Sequence, residues 1–182
     1  MEHFYENIYG FCDYLGLYKK MVKKFSSGSH FVEIGSFLGK SSAYMAVEII
    51  NSGKDIKFDC IDHWQGSEEH EGREEINLEN LYKDFLKNIE PVKEIITPVR
   101  MNSIDASKLY KPNSIDFVFI DASHDEMSVK ADLTYWMPRL KENGIIAGDD
   151  ADNEGVAHAV TRFFNTNKLD IINRQWFVDL SQ

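Results

Sequence analysis

The stretch VEIGSFLGKSS, residues 32–42, contains an apolar run of strand length, two glycines and the beginning of an amphipathic segment. A P-loop needs four residues between its first glycine and the following Gly-Lys-Ser/Thr, so that the backbone can wrap a phosphate. Here only three residues separate Gly35 from Gly39, which disfavours a nucleoside triphosphatase. A glycine turn between a strand and a helix still lets the backbone approach a ligand and directs free N–H groups at it. The stretch therefore predicts a ligand-binding turn of another kind.

Around this turn, short apolar runs alternate with longer amphipathic segments, a pattern typical of βα units in a mostly parallel sheet. The predicted strands cover residues 30–35, 56–62, 95–101, 114–121 and 144–150, and residues 169–181 are expected to form a closing hairpin. Residues 128–143 are predicted to be a helix that Asn143-Gly144 ends as a C-cap. We therefore expect an α/β, Rossmann-like, doubly wound fold: a seven-stranded, mostly parallel sheet with a C-terminal antiparallel hairpin in three layers. A single domain is expected, with residues 1–28 as a helical cap on a core of residues 29–182.

The composition of the chain limits the number of domains, the cellular location and the partners that are expected. A chain of 182 residues with 43% hydrophobic residues suits one soluble domain, and no apolar run approaches the ~18 residues that span a bilayer. The amino terminus lacks the pattern of a secretory signal. Cys12 and Cys60 lie far apart, which favours free thiols in a reducing cytoplasm. A net charge of -10 would repel a phosphate backbone, so nucleic acid is not an expected partner. With no spanning run and no signal segment, a membrane is not expected either, and a homodimer is left open.

Charged residues stand at the ends of the first two predicted strands. Glu33 would repel a triphosphate and attract an ammonium group. Asp62 ends the second strand beside the glycine turn, where a carboxylate can accept both hydrogen bonds of a ribose diol. His63 and Trp64 would then flank a purine.

Glu33, Gly35, Gly39 and Asp62 together resemble the class I S-adenosylmethionine-dependent methyltransferases, which share the seven-strand order with a terminal hairpin. The resemblance implies that Glu33 lies near the methionine amino group, that the glycine turn passes the methionine part, and that Asp62 holds the ribose. Phe37 replaces the middle glycine of E-x-G-x-G-x-G, as in the O-methyltransferase branch with E-x-G-x-x-x-G. The implied cofactor-binding residues are Glu33, Gly35, Ser36, Phe37, Gly39, Ser41, Ser42, Asp62, His63, Ser103 and Asp121. Ser103 and Ile104 fall where this fold lines the adenine, although the same stretch also suits a helix N-cap.

A further polar cluster follows the fourth and fifth predicted strands. Asp121 ends the fourth strand, His124 follows three residues later, and Asp149 and Asp150 end the fifth. Three carboxylates at neighbouring strand ends repel one another unless a cation lies between them. Oxygen ligands without cysteine indicate Mg²⁺, Mn²⁺ or Ca²⁺. Each carboxylate could instead serve a turn or a helix cap.

The pattern D-x-S-H…GDD resembles the metal-dependent sugar and small-molecule O-methyltransferases of the macrocin type, also called methyltransferase family 24. The resemblance implies that Asp121, Asp149 and Asp150 bind the metal, with Mg²⁺ expected, and that His124 is the general base, so His124 and Asp121 are the catalytic candidates. The predicted function is S-adenosylmethionine-dependent O-methylation of a hydroxyl on a small molecule or sugar, assisted by a divalent metal.

Several alternatives stay open at this point. They are a metal-free or catalytically silent S-adenosylmethionine-binding domain, a nicotinamide-dependent oxidoreductase and a P-loop-like nucleotide-binding protein. The sugar enzymes that this pattern resembles usually have a larger amino-terminal part over the acceptor, whereas only some thirty residues precede the first strand here, so the acceptor stays undefined. The acidic loop 64–75 is predicted to be mobile and to fold over the acceptor.

Overall fold

The computed structural model describes residues 1–66, 76–164 and 169–181. Within these ranges the strands are β1 His30–Ile34, β2 Lys57–Asp62, β3 Ile96–Arg100, β4 Ile115–Ile120, β5 Leu140–Gly148, β6 Asp170–Ile172 and β7 Gln175–Asp179. The helices are α1 Leu15–Lys24, α2 Lys40–Ser52, α3 Leu81–Asn88, α4 Ser103–Ser107, α5 Glu126–Trp136 and α6 Glu154–Phe163. No helix in this part of the chain is both long and apolar enough to span a bilayer.

The strands form one sheet in the order β3-β2-β1-β4-β5-β7-β6. The pairings from β3 through β5 are parallel, whereas β7 pairs antiparallel with both β5 and β6. This arrangement confirms the predicted Rossmann-like sheet with its closing hairpin. The strand order reverses between β1 and β4, and in open α/β sheets the carboxyl ends of such strands border the ligand site.

Both faces of the sheet are covered by helices. In β1, Phe31 packs into the apolar layer that includes α1, α2 and α3, whereas Val32 and Ile34 pack into the layer that includes α4, α5 and α6. Successive side chains of a strand point to opposite faces, so a continuous apolar run is what a doubly covered strand requires.

The boundary between α5 and β5 differs from the prediction. The helix ends at Trp136 rather than at Asn143, because Pro138 in the following turn has no N–H to continue it. Leu140 already pairs with Ile115 in the sheet, so Gly144 lies inside β5 rather than at a helix C-cap. The register with β4 shifts between these points, which marks a bulge in the strand.

The amino-terminal segment packs against the first apolar layer. Tyr18 of α1 is fully buried and lies edge-on to Phe119 of β4, with ring centroids 4.9 Å apart. A Cβ atom on Gly10 would lie 3.8 Å from Phe37 and from Lys40. Residues 9–14, which precede α1, are therefore held close to the turn after β1.

Candidate active site

A cavity of about 1200 Å³ opens at the carboxyl ends of β1, β2, β4 and β5. Its walls come from residues 9–15 of the amino-terminal segment, the turn after β1, the start of α4 and the loops after β4 and β5. Several predicted site residues meet at this cavity although they are far apart in the sequence: Gly35, Ser36, Phe37, Ser41, Asp62, His63, Ser103, Asp121, His124, Asp149 and Asp150.

The turn after β1 requires glycine for steric reasons. Gly35 has φ +90°, and a Cβ atom there would lie 1.8 Å from the carbonyl oxygen of Asp121. Gly39, with φ +86°, precedes α2, and a Cβ atom on it would press on Ile89 and Phe85 at about 3 Å. The turn thus lies directly against the end of β4, where only a residue without a side chain fits.

Asp62 connects the turn to the end of β2. Its Oδ2 accepts a hydrogen bond from the backbone N–H of Phe37 at 2.9 Å, and its Oδ1 accepts one from that of Trp64 at 2.7 Å. A carboxylate oxygen has lone pairs for more than one donor. Asp62 can therefore support the turn and still accept hydrogen bonds from a ribose diol.

The two predicted purine neighbours lie in different environments. His63 is exposed at the cavity, whereas Trp64 is only 2% exposed, packs on Phe85 and donates its indole N–H to the Phe37 carbonyl at 2.7 Å. Its ring supports the turn from the core, and because Trp64 also lines the cavity, its contact with a purine stays a prediction. Of the predicted lid 64–75, residues 67–75 lie outside the described part of the chain.

Glu33 lies beneath the turn rather than at the cavity surface. It is 1% exposed and accepts hydrogen bonds from the hydroxyls of Tyr18, Ser41 and Ser42. Burial raises the pKa of its carboxyl, and these hydroxyl bonds partly oppose that rise. Glu33 and Ser42 are absent from the cavity lining, so their direct contact with a cofactor stays a prediction.

Ser36 lines the cavity with a buried side chain. It is 2% exposed, and its hydroxyl oxygen has no well-formed hydrogen bond within the described residues. The hydroxyl lies close enough to the Cys60 thiol to oppose the rise that burial causes in the pKa of that thiol. A polar ligand in the cavity would give it a stronger partner.

The start of α4 lies beside a second buried polar group, the Asp132 carboxyl of α5. Asn102 caps the helix by accepting the Asp105 N–H, so Ser103 is not the cap. The Ser103 hydroxyl accepts the indole N–H of Trp136 at 2.7 Å and bonds to Asp132, a 6% exposed residue of the cavity wall. Burial raises the pKa of Asp132 to about 6, against the lowering effect of Ser103. Asp132 was not predicted from the sequence, although an acidic residue on the otherwise apolar face of α5 could have indicated it.

The loops after β4 and β5 bring together a potential metal-binding group. One ligand atom from each of Asp121, His124 and Asp150 lies within 4.8 Å of the other two. His124 Nε2 is 2.8 Å from Asp150 Oδ2. Asp149 lies outside this group, and its Oδ1 accepts a hydrogen bond from Gln175 Nε2 at 3.2 Å. The structure thus groups His124, predicted as the base, with two of the three predicted ligands.

The carboxyls of this cluster have different electrostatic environments. Burial raises the pKa of Asp121 to about 7, and the charges of Asp149 and Asp150 add to the rise, while a hydrogen bond from Tyr14 opposes it. The pKa of Asp150 is lowered, first by its hydrogen bond to His124 and also by Arg174, which contacts its carboxylate. Burial raises the pKa of Asp149.

Carboxylate oxygens suit a divalent cation such as Mg²⁺ or Mn²⁺, whereas an imidazole ligand is more typical of Zn²⁺, Cu²⁺ or Fe²⁺. The two carboxylates therefore fit the predicted ion, with His124 beside them as the predicted base. Tyr14, Arg174 and Gln175 also contact these acids and were missed at the sequence level, because no local pattern connects them to residues 121–150.

The family model described as a methyltransferase domain, methyltransferase family 24, matches residues 32–151. Three solved structures share the fold. The cofactor-bound protein Rv0187 from MTB has a TM-score of 0.69 at 13% identity, with 96% of this chain and 82% of that chain covered. The O-methyltransferase NovP has a TM-score of 0.64 at 15% identity, with 91% of this chain and 78% of that chain covered. CalS11, a TDP-rhamnose 3'-O-methyltransferase of calicheamicin biosynthesis, has a TM-score of 0.64 at 13% identity, with 92% of this chain and 77% of that chain covered. No curated protein sequence matches significantly.

Proposed function

Since the chain belongs to methyltransferase family 24, a family of S-adenosylmethionine-dependent methyltransferases, we propose that it O-methylates a small molecule or sugar with the help of a divalent cation. The observation that carries this proposal is that Asp121, His124 and Asp150 converge in the same cavity as the glycine turn and Asp62.

The proposed cofactor site lies along the turn after β1. The carboxylate of Asp62 would accept hydrogen bonds from the ribose diol, and the buried hydroxyl of Ser36 would bond to the methionine part. Ser103, at the start of α4, would border the adenine with His63 on the other side. S-adenosylmethionine supplies the methyl group when it is bound at this site.

The proposed ion site is formed by Asp121 and Asp150, with Asp149 as a further carboxylate nearby and His124 beside it as the proposed base. A divalent cation there would lower the pKa of an acceptor hydroxyl and fix its direction. His124, whose ordinary pKa is about 6.5, would take up the hydroxyl proton. The Asp150 carboxylate, 2.8 Å from its ring nitrogen, would stabilise the imidazolium that forms.

The cavity has space for an acceptor beside the cofactor. Ligand pockets commonly measure about 300–1,000 Å³, and this one is larger at about 1200 Å³. A sugar or catechol with neighbouring hydroxyls would bind the cation through two oxygens. The name of CalS11 places a sugar hydroxyl among the acceptors of proteins with this fold, which supports that class.

The free cysteines and the net charge support the proposed cellular location and the proposed lack of binding to nucleic acid. Cys12 and Cys60 are both free thiols, which suits a reducing cytoplasm. The net charge of -10 opposes binding to nucleic acid. We propose that the whole chain acts as one catalytic domain, with residues 1–28 covering part of the cavity.

The test separates cofactor binding from turnover. We expect S-adenosylhomocysteine to bind with micromolar affinity in calorimetry, with or without Mg²⁺, whereas methylation of a diol panel requires the metal. Asp150→Asn should leave cofactor affinity within about twofold and abolish turnover. Asp152→Asn is the matched control, because Asp152 also bonds to Arg174, at 3.1 Å, but lies outside the ion site. Full activity in excess EDTA, or in Asp150→Asn, would contradict the cation-assisted mechanism.

Arg174 favours a second candidate, a metal-free methyltransferase. Its guanidinium contacts Asp150 and so already places positive charge on one of the proposed ligands. In that case turnover would survive EDTA, and Arg174→Gln would lower it sharply. Loss of turnover in EDTA, with recovery on added Mg²⁺, would exclude this candidate.

A further inference from the structure

Tyr14 connects the amino-terminal segment to the end of β4. It precedes α1, is 2% exposed and packs its ring on Phe119, with centroids 4.4 Å apart. Its hydroxyl donates a hydrogen bond to Asp121 Oδ2 at 2.8 Å across a sequence separation of 107 residues. Because the ring is packed, the Tyr14 hydroxyl has little freedom to move away from the Asp121 carboxylate.

The contact bears directly on how Asp121 can bind a cation. A carboxylate side chain can rotate, and a ligand that rotates loses entropy when an ion fixes it. With Oδ2 held by Tyr14, Asp121 keeps one orientation, and its Oδ1 and the remaining lone pairs of Oδ2 stay available to an ion. Hydrogen-bonded partners of metal ligands commonly have this effect.

The neighbouring residue strengthens the same connection. Asp13 Oδ1 accepts a hydrogen bond at 3.3 Å from Gln175 Nε2, the amide nitrogen that also donates to Asp149 at 3.2 Å. The segment just before α1 therefore contacts the end of β4 directly and is linked to the end of β5 through Gln175 of β7. It approaches the cavity at the point where two acids of the proposed site lie.

We propose that Tyr14 is a positioning residue that holds the Asp121 carboxylate in its ion-binding orientation and so makes the amino-terminal segment part of the active site. This inference rests on the proposed cation-assisted function. It assigns Tyr14 an indirect role, since its hydroxyl bonds to a proposed ligand.

Tyr18 is a matched control. It lies four residues later, in α1, is fully buried, and donates its hydroxyl to a buried acid at 3.1 Å. That acid is Glu33, which is outside the proposed ion site. A general loss of packing or of a buried hydrogen bond would therefore appear in Tyr18→Phe as well as in Tyr14→Phe.

The experiment measures Mn²⁺ and S-adenosylhomocysteine affinity of the full chain by calorimetry. Tyr14→Phe should weaken Mn²⁺ binding by about 10- to 100-fold and leave S-adenosylhomocysteine affinity within about threefold. Tyr18→Phe should change Mn²⁺ affinity by less than about twofold. Equal Mn²⁺ affinity in wild type and Tyr14→Phe, or an equal loss in Tyr18→Phe, would overturn the inference.

A second measurement avoids dependence on the folding of Tyr14→Phe. With 3-fluorotyrosine incorporated singly at position 14 or 18, added Mg²⁺ should shift the fluorine resonance at 14 and leave the one at 18 unchanged. No shift at position 14 in a protein that binds Mg²⁺ would also overturn the inference. If the wild type binds neither ion, the cation-assisted function itself fails, and the inference fails with it.

Discussion

Replacing Asp121 by asparagine should stabilise the protein when no metal is present. The raised pKa of Asp121, about 7 against an ordinary 3.8, means that its charged form is disfavoured in the folded state. A carboxyl with a raised folded pKa stabilises the fold at low pH and loses that contribution as pH rises through the folded pKa. Asparagine keeps an acceptor for Tyr14 and carries no charge, so it avoids this loss.

The magnitude follows from the size of the shift. About three pKa units correspond to ~4 kcal/mol at pH 8, and integration of the same linkage leaves ~1.5 kcal/mol at pH 5. Asp121 faces the open cavity and is only partly buried by surface area, so solvent screening makes these values upper limits. The advantage of Asp121→Asn should therefore grow as pH rises from 5 to 8.

The assay is urea unfolding of wild type and Asp121→Asn at pH 5 and pH 8, each with EDTA and with Mn²⁺. With EDTA, the variant should be more stable at pH 8, and by a larger margin than at pH 5. With Mn²⁺, the margin should shrink, because the cation stabilises the charged carboxylate of the wild type. An advantage that is independent of pH, or a variant less stable than wild type at pH 8, would refute the reasoning.

Three further predictions concern other walls of the cavity. Asp62→Ala should weaken S-adenosylhomocysteine binding in calorimetry by about 10²-fold or more, since two hydrogen bonds to a charged group are lost. Undiminished affinity in this variant would show that Asp62 does not bind the ribose. Asp132→Asn should stabilise the fold by up to ~3 kcal/mol at pH 8 but not below about pH 4, because the folded pKa of Asp132 is about 6. The measurement is urea unfolding at both pH values. A stabilisation that does not depend on pH would contradict this prediction. Gly35→Ala should cost on the order of 3 kcal/mol or more, because its Cβ would overlap the Asp121 carbonyl; Gly16→Ala, with open space around it, is the control and should be neutral or stabilising.

The fold was predictable from the sequence because its signals are local. Alternating apolar runs and amphipathic segments predicted the parallel strands and the closing hairpin, and the observed sheet order confirms them. Gly35 and Asp62 were also recognisable, since residues that follow parallel strands meet at one edge of the sheet. The exception was the end of α5, where Gly144 resembled a helix cap and Pro138 determined the boundary instead.

The arrangement of the site depended on contacts between distant segments. His124 lies with Asp121 and Asp150, whereas the Asp149 carboxylate accepts a hydrogen bond from Gln175 of the closing hairpin. Glu33 is buried, and Trp64 supports the turn from the core. The pattern of apolar residues indicates where each strand ends, and this can be recognised from the sequence alone. The direction of each side chain depends on which hydroxyl, amide or guanidinium the folded chain brings beside it. For Asp121 that group is the hydroxyl of Tyr14, 107 positions earlier in the sequence, and only the packing of α1 on β4 brings the two together.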